Sequence, residues 1–311
     1  MITRPFIELP LLAALWGASF IFMKIGSPEF GPILFMAMRT FVASLFLIPL
    51  IFLTKNQSAL AGFWGKIFIV GALNTAIPFV LFGWATLTLS AGNTAVLNST
   101  TPMFGALVAY FWLKDSLSIS AIIGICVGFL GVYFLMFNNL SDHALESDPQ
   151  VVLPTLAAML AALCYGVSAN YTKRYLGGIS PLALAAGSQI SASVILLPLS
   201  IFFIPQSIPS NSAIVSVICL GVLCTGVAYV IFFRLIAAVG PTKAISVTYL
   251  IPVFGVIWGM VFLDEHIDHW TLLGGALILT GVALTSGLIP HQLTFTRIAS
   301  SKLFNRYKNK L

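Results

Sequence analysis

PMFGALVAYFWLKDSLSISAIIGICVGFLG, residues Pro102–Gly131, occurs a second time as PVFGVIWGMVFLDEHIDHWTLLGGALILTG, residues Pro252–Gly281. The offset is 252 − 102 = 150, and it aligns Phe104 with Phe254, Gly105 with Gly255, Leu113 with Leu263, Gly124 with Gly274 and Gly131 with Gly281. Each copy is an apolar run opened by proline, then a charged break (Lys114-Asp115; Asp264-Glu265), then a second apolar run punctuated by glycine. Working outward, Gly17, Ser19 and Lys24 match Gly166, Ser168 and Lys173 at an offset of 149, and so do Pro32 with Pro181 and Pro49 with Pro198. By Gly71 and Gly221 the offset is 150. Glycine and proline answer to backbone geometry rather than hydropathy, so their alignment is the stronger signal. A repeat of about half the chain implies a duplicated architecture.

Composition supplies the solvent. Hydrophobic residues make up 59% of the 311, charged residues 8%, and mean hydropathy is +1.02. So few charges cannot cover a water-soluble surface, and lipid must take that place. Ten apolar segments are long enough to cross a core of ~30 Å at about 20 residues each. They are Ile7–Ile25, Pro32–Leu53, Lys66–Leu89, Thr94–Leu113, Ile119–Phe137, Val151–Thr172, Pro181–Ile204, Ala213–Ile236, Ala244–Leu263 and Trp270–Ile289. The first resembles a signal peptide, but its echo at Gly166–Lys173 argues for a retained helix. The expected fold is an all-α integral membrane protein of two five-helix repeats, residues 1–140 and 150–289, followed by a basic tail, 290–311. Duplicated apolar halves are the architecture of secondary transporters.

Loop charge predicts orientation. Arg4, Lys55, Lys66, Lys114, Lys173, Arg174, Arg234 and Lys243 fall in one set of loops, and five bases without an acid occupy the last fifteen residues. Glu29, Asp142, Glu146, Asp148, Asp264, Glu265 and Asp268 fall in the other set, with Lys24 the one base near them. Both termini are expected in the cytoplasm. Five helices per repeat is an odd number, so the halves are expected to be inverted, with Lys114 facing in and its counterpart Asp264 facing out.

Trp16-Gly17-Ala18-Ser19-Phe20 through Lys24, with Pro32 and Arg39, resembles the opening of the ten-helix drug/metabolite transporter superfamily, EamA-type branch. Val239-Gly240-Pro241-Thr242-Lys243-Ala244, Pro252, Phe262-Leu263-Asp264-Glu265 and Gly274 through Gly281 are similar to its second half. The resemblance spans both repeats and implies the fold, a multi-pass place in the cell inner membrane and a small-molecule substrate. It does not imply which one, since the family carries amino acids, nucleotide-like metabolites and drugs. Lys114-Asp115 departs from the Gly-Glu pair frequent there in the family.

The candidate substrate-binding residues are Trp16, Arg39, Asn74, Phe79, Asn98, Tyr165, Tyr229 and Tyr249. Arg39 lies seven residues into its span; a central arginine costs about 2.5–3.5 kcal/mol even on the lenient insertion scale, so it faces protein, water or substrate. Its other readings are a snorkel to the headgroups or a brace to carbonyls. Lys24, nearer a helix end, reads as a snorkel. Asn74, Asn98, Asn170 and Gln189 are amides within spans; any one of them alone reads first as a helix-to-helix bond, worth ~0.6 kcal/mol. For Asn74 and Asn98 the cavity is preferred, because the resemblance places their helices along the pathway. Trp16 with Tyr165, and Phe79 with Tyr229, occupy matching depths in the two halves, as cavity wall or as core. Tyr249 flanks Pro252. Pro78, Pro102 and Pro252 are expected kinks and candidate hinges. Gly124, Gly128 and Gly131, echoed by Gly274 and Gly281, are expected helix contacts within a monomer, or secondarily within a homodimer.

Other classes are weaker. Asp264-Glu265-His266-Ile267-Asp268-His269 offers metal-binding side chains at a surface turn, yet no nucleophile stands nearby and the other repeat has no equivalent. Cys126, Cys164, Cys219 and Cys224 lie in apolar runs without metal-ligand spacing. There is no nucleotide-binding loop, and no cofactor or metal is expected. The basic tail reads as a lipid-surface anchor rather than a nucleic-acid binder. With no Asp, Glu or His mid-span, coupling stays open. The expected function is export of small polar metabolites, amino acids or related compounds, by alternating access, with import or exchange as the alternative and a membrane enzyme a distant one.

Overall fold

The computed structural model describes residues 4–55, 60–137, 149–240, 243–244 and 246–287. The regular elements among them are all helical. We name them α1 (Arg4–Phe30), α2 (Pro32–Leu53), α3 (Trp64–Thr88), α4 (Ala91–Asn98), α5 (Thr101–Val108, extended by a π-turn at Ala109–Leu113), α6 (Ile119–Phe137), α7 (Pro149–Tyr175), α8 (Pro181–Ser200), α9 (Asn211–Val239), α10 (Ile251–Leu263) and α11 (His269–Thr285). Seven of these, α1, α2, α3, α6, α7, α8 and α9, are long and apolar enough to cross a membrane. Their outer faces carry large apolar side chains in the open, such as Leu53, Ile119 and Val194, as lipid contact requires.

Three expected spans need correcting. The first does not stop at Ile25: α1 continues to Phe30 and takes in Glu29, and the chain turns at Gly31, whose φ of 74° only glycine adopts freely, before Pro32 opens α2. The span expected at Thr94–Leu113 is two helices, interrupted at Ser99-Thr100. The span expected at Ala244–Leu263 is also interrupted, by a 3-10 turn at Ser246–Tyr249, before α10 begins at Ile251. Pro102 and Pro252 therefore sit in the first turn of a new helix, where no N–H is needed, rather than kinking a continuous one. Pro78 follows the same rule. α3 widens into a π-turn at Ala72–Ala76, and Pro78 falls in the first turn of the helix that resumes. α9 widens at the matching place, Val222–Val227.

Helix contacts recur in crosswise pairs. A Cβ added at Gly124 of α6 would stand 2.5 Å from the Gly281 oxygen of α11, and one at Gly131 2.7 Å from the Gly274 oxygen. A Cβ at Gly17 of α1 would stand 2.9 Å from the Gly255 nitrogen of α10, and one at Gly166 of α7 2.7 Å from the Gly105 nitrogen of α5. Gly71 of α3 approaches the Ser188 oxygen of α8, and Gly221 of α9 the Arg39 oxygen of α2, with added Cβ distances of 2.9 and 3.1 Å. In each case the second contact joins the repeat counterparts of the first. Hydroxyls at the crossing of α2 and α8 obey the same rule, Ser44 meeting its own counterpart Ser193 at 3.2 Å. The glycines of α6 and α11 thus serve contact within the chain. Asp142, Glu146, Asp148 and the tail 290–311 lie outside the described residues.

Candidate substrate site

Arg39 is 4% exposed, which removes the snorkelling reading. Its Nε donates to Thr225 Oγ1 at 3.2 Å, across from α2 to α9. Thr225 is available because of the π-turn: its hydroxyl donates to the Leu220 carbonyl at 2.8 Å, a bond five residues back along the widened turn. The guanidinium carbon sits over the Phe79 ring, 3.6 Å from its centroid. Nη1 makes no hydrogen bond. Tyr165, Tyr229 and Cys224 lie within electrostatic range of the charge. No carboxylate pairs with it among the described residues.

Aromatic side chains pack around this point. Tyr165 of α7 stacks on Phe82 of α3 with centroids 6.0 Å apart, and Phe82 meets Phe20 of α1 edge-on at 5.9 Å. Trp16 of α1 stands edge-on to Tyr229 of α9 at 6.4 Å, and Tyr229 stacks on Phe233 at 5.8 Å. Five of the eight sequence candidates, Trp16, Arg39, Phe79, Tyr165 and Tyr229, thus converge from α1, α2, α3, α7 and α9. Asn74 is half-buried in the π-turn of α3, Asn98 ends α4, and Tyr249 packs from its 3-10 turn against the large apolar core. Among the described residues, no hydrogen bond or ring contact ties these three to Arg39.

Two of the amides divide. Asn170 does what a lone membrane amide does first: its Nδ2 donates to the Gly105 and Gly166 carbonyls, each at 2.9 Å, joining α7 to α5. Gln189 of α8 does not. It is 0% exposed and its amide approaches the Tyr229 side chain at the margin of hydrogen-bond range, but neither end makes a hydrogen bond of normal geometry. The sequence named Gln189 as a spanning amide but gave no reason to rank it above Asn98. Lys24 is also reassigned from snorkel to clasp, its Nζ donating to the Leu89 carbonyl at the end of α3, 3.0 Å away.

Charged groups gather at the two ends. Trp112, Lys114, Asp115, Lys173 and Arg174 line a hollow at one end, where Lys173 and Asp115 pair at 3.0 Å. Glu8 pairs with Arg234. At the other end a cavity of about 260 Å³ is lined by Leu89, Ser90, Gly92 and Asn93 and by Glu265, His266 and Asp268. The acids of that run are committed to two different helices. Glu265 accepts from the Ala91 and Gly92 N–H groups of α4, while Asp268 caps α11 by accepting from Thr271 N–H at 2.7 Å. No set of three His, Cys, Asp or Glu side chains close enough to hold a metal occurs among the described residues.

Comparisons with known proteins bear on the family and the fold. The model of the EamA-like transporter family matches twice, over residues 7–137 and 153–287. "Uncharacterized transporter YoaV" of Bacillus subtilis is 24% identical over 275 residues, 88% of this chain and 93% of that protein. A "Probable terminal-alkyne amino-acid exporter" of Streptantibioticus cattleyicolor is 25% identical over 281 residues, 89% of this chain and 91% of that protein. One solved crystal structure superposes with a TM-score of 0.61 at 18% identity, covering 91% of this chain and 96% of the other; it speaks for the fold alone.

Proposed function

Because the chain belongs to the EamA-like transporter family, we propose that it is a secondary transporter exporting small polar metabolites that carry a carboxylate, amino acids among them, by alternating access. Ten membrane passes in two inverted five-helix halves carry it. The seven long helices are joined by three shorter passes: α4 with α5, the 3-10 turn with α10, and α11. The crosswise glycine contacts support inversion, since a contact that recurs between counterparts is what a two-fold relation between halves produces. The loop charges favour both termini in the cytoplasm of an inner membrane, with Glu265 and Asp268 outside.

The observation that carries the substrate reading is the unpaired part of Arg39. Breaking a buried charge pair leaves a cost of about 3–5 kcal/mol, so a guanidinium kept with one hydroxyl and one ring as partners favours a site that a ligand anion completes. A carboxylate meeting Nη1 supplies a charge-assisted bond in a dry site. Trp16, Phe79, Tyr165 and Tyr229 take the apolar part of the substrate, and Gln189 offers one donor and one acceptor to a neutral polar group. The name of the Streptantibioticus relative supports amino acids as the first class to screen.

The test is a metabolite panel in proteoliposomes, loaded inside or outside in separate runs. Concentrative movement of zwitterionic or anionic carboxylates supports the reading, and the loading side separates export from import or exchange. Movement of simple cations alone sinks it.

A further inference from the structure

The turn between α3 and α4 is clasped from two other parts of the chain. Lys24 of α1 holds its incoming side through the Leu89 carbonyl, 3.0 Å away. Glu265, on the linker from α10 to α11, holds its outgoing side, Oε1 accepting from Ala91 N–H at 2.6 Å and Oε2 from Gly92 N–H at 3.1 Å. These N–H groups are the first two of α4, free of helical partners and at the positive end of its dipole. Ser90 caps a third, accepting from Asn93 N–H at 3.0 Å. Lys24 and Glu265 also lie within electrostatic range of each other.

The carboxylate reaches this position because α10 makes room for it. Glu265 N–H donates back to the Gly259 carbonyl at 3.2 Å, after Asp264 takes a left-handed φ of 51°. A methyl on Gly259 would fall on the Glu265 carboxylate. Beside this clasp, α4 lies directly on α10. A Cβ at Gly92 would stand 3.2 Å from Val256 Cγ2, and one at Gly255 would fall on the Ala95 methyl. One side chain from late in the chain thus fixes a helix from early in it, beside the cavity that Leu89, Gly92, Val256 and Glu265 line.

We propose that Glu265 is the latch of a gate at this end: its carboxylate on the α4 N-terminus keeps α4 seated on α10, and transport requires the latch to release and re-form. The proposal rests on the alternating-access reading above. Glu265 is a positioning residue, acting on substrate only through α4.

A cysteine pair reads the gate directly. With Val256 shortened, Gly92→Cys fits, and its Cβ, 3.3 Å from the position 256 Cα, is close enough for the two sulfurs to bond. In a transport-competent background with the four native cysteines changed to alanine, Gly92→Cys/Val256→Cys should oxidise readily and lose transport, and reductant should restore it. Adding Glu265→Gln should slow oxidation about fivefold, the difference between a charged and a neutral acceptor, with the melting temperature near that of the parent. Gly259→Ala, which displaces the carboxylate without touching its charge, should do the same. If the oxidised pair transports at the reduced rate, the α4–α10 contact is a static joint and the gate is wrong. If neither variant changes the oxidation rate, Glu265 is not the latch. Oxidation needs no substrate, so a slower rate in Glu265→Gln upholds the latch even where the metabolite panel finds nothing to carry.

Discussion

The turns after α5 and after α10 begin alike and end differently. Lys114 and Asp264 both take left-handed φ values, 61° and 51°, and the next N–H in each case reaches back six residues, Asp115 to the Ala109 carbonyl and Glu265 to the Gly259 carbonyl, both at 3.2 Å. From there the side chains part. Glu265 is half-buried, lies over a glycine and holds two backbone N–H groups of α4. Asp115 is one methylene shorter, has Ala109 where the other copy has Gly259, and turns outward to an exposed lysine, Lys173. Backbone geometry is held in common by the two halves, and their side chains are where they differ. Arg39 makes the same point from the centre. Its counterpart is Ser188, whose hydroxyl turns back to its own helix at the Ala185 carbonyl, 2.7 Å away, so one half carries a charge and the other nothing ionic.

The largest expected effect breaks the asymmetry at the centre. Arg39→Gln removes the charge and should lower carboxylate transport by about a hundredfold or more, in line with the 2–5 kcal/mol lost when one partner of a buried charge pair is removed. Arg39→Lys keeps the charge without the fork and should fall between the two. Initial rates in proteoliposomes, normalised to protein in the membrane, check this. Normal transport by Arg39→Gln would return Arg39 to the role of a brace for α9.

Where the halves agree, substitution should cost stability rather than selectivity. Gly281→Ala places a methyl against the Gly128 backbone, 2.6 Å from its nitrogen, and overpacking of that kind costs about 1–3 kcal/mol. Gly275→Ala is the control, since its added carbon meets Val96 at an ordinary 3.8 Å. Melting in detergent should show a clear drop for the first and little for the second. Equal drops would mean that α6 and α11 are not held by the close glycine contacts.

A third test transplants one end onto the other. Ala109→Gly with Asp115→Glu gives the α5 turn the room and the reach that its counterpart has. The grafted glutamate should favour closure at the Lys173 end and slow turnover about fivefold, while either single change does less. A double variant indistinguishable from its singles would show that the two turns do not act as counterparts.

Much of this was legible in the sequence, and the reasons it stops are physical. Glycine and proline at offsets of 149 and 150 announced the repeat because they are fixed by helix contact and helix starts, which the structure shows at Gly17, Gly166, Pro102 and Pro252. Trp16, Phe79, Tyr165 and Tyr229 were named from their matching repeat positions and Arg39 from the cost of a membrane charge, but nothing in the sequence separated these five from Asn74, Asn98 and Tyr249. The breaks at Ser99-Thr100 and before Ile251 were not legible, since hydropathy continues across them. Gln189 and Asn170 look alike in sequence, and only the approach of Gly105 decides that one is bonded and the other is not. Glu265 read as a solvated acid because its partners are backbone N–H groups 173 and 174 residues away. Backbone donors leave no mark on composition.

The smallest expected effect concerns the other end's own ion pair. Lys173 and Asp115 are 65% and 50% exposed, and a pair so open to water and salt is worth about 0–1 kcal/mol. Lys173→Met should therefore change turnover by less than about fivefold, and 0.5 M salt should erase most of that change. Lys24→Met is the matched comparison, because Lys24 is half-buried, bonds the Leu89 carbonyl and supports Glu265. It should slow disulfide formation between cysteines at positions 92 and 256, and do so at high salt as well as low, since buried contacts are poorly screened. If Lys173→Met proves the more damaging of the two, and salt does not soften it, then the Lys173 end holds the stronger gate and the asymmetry between the two turns runs the other way.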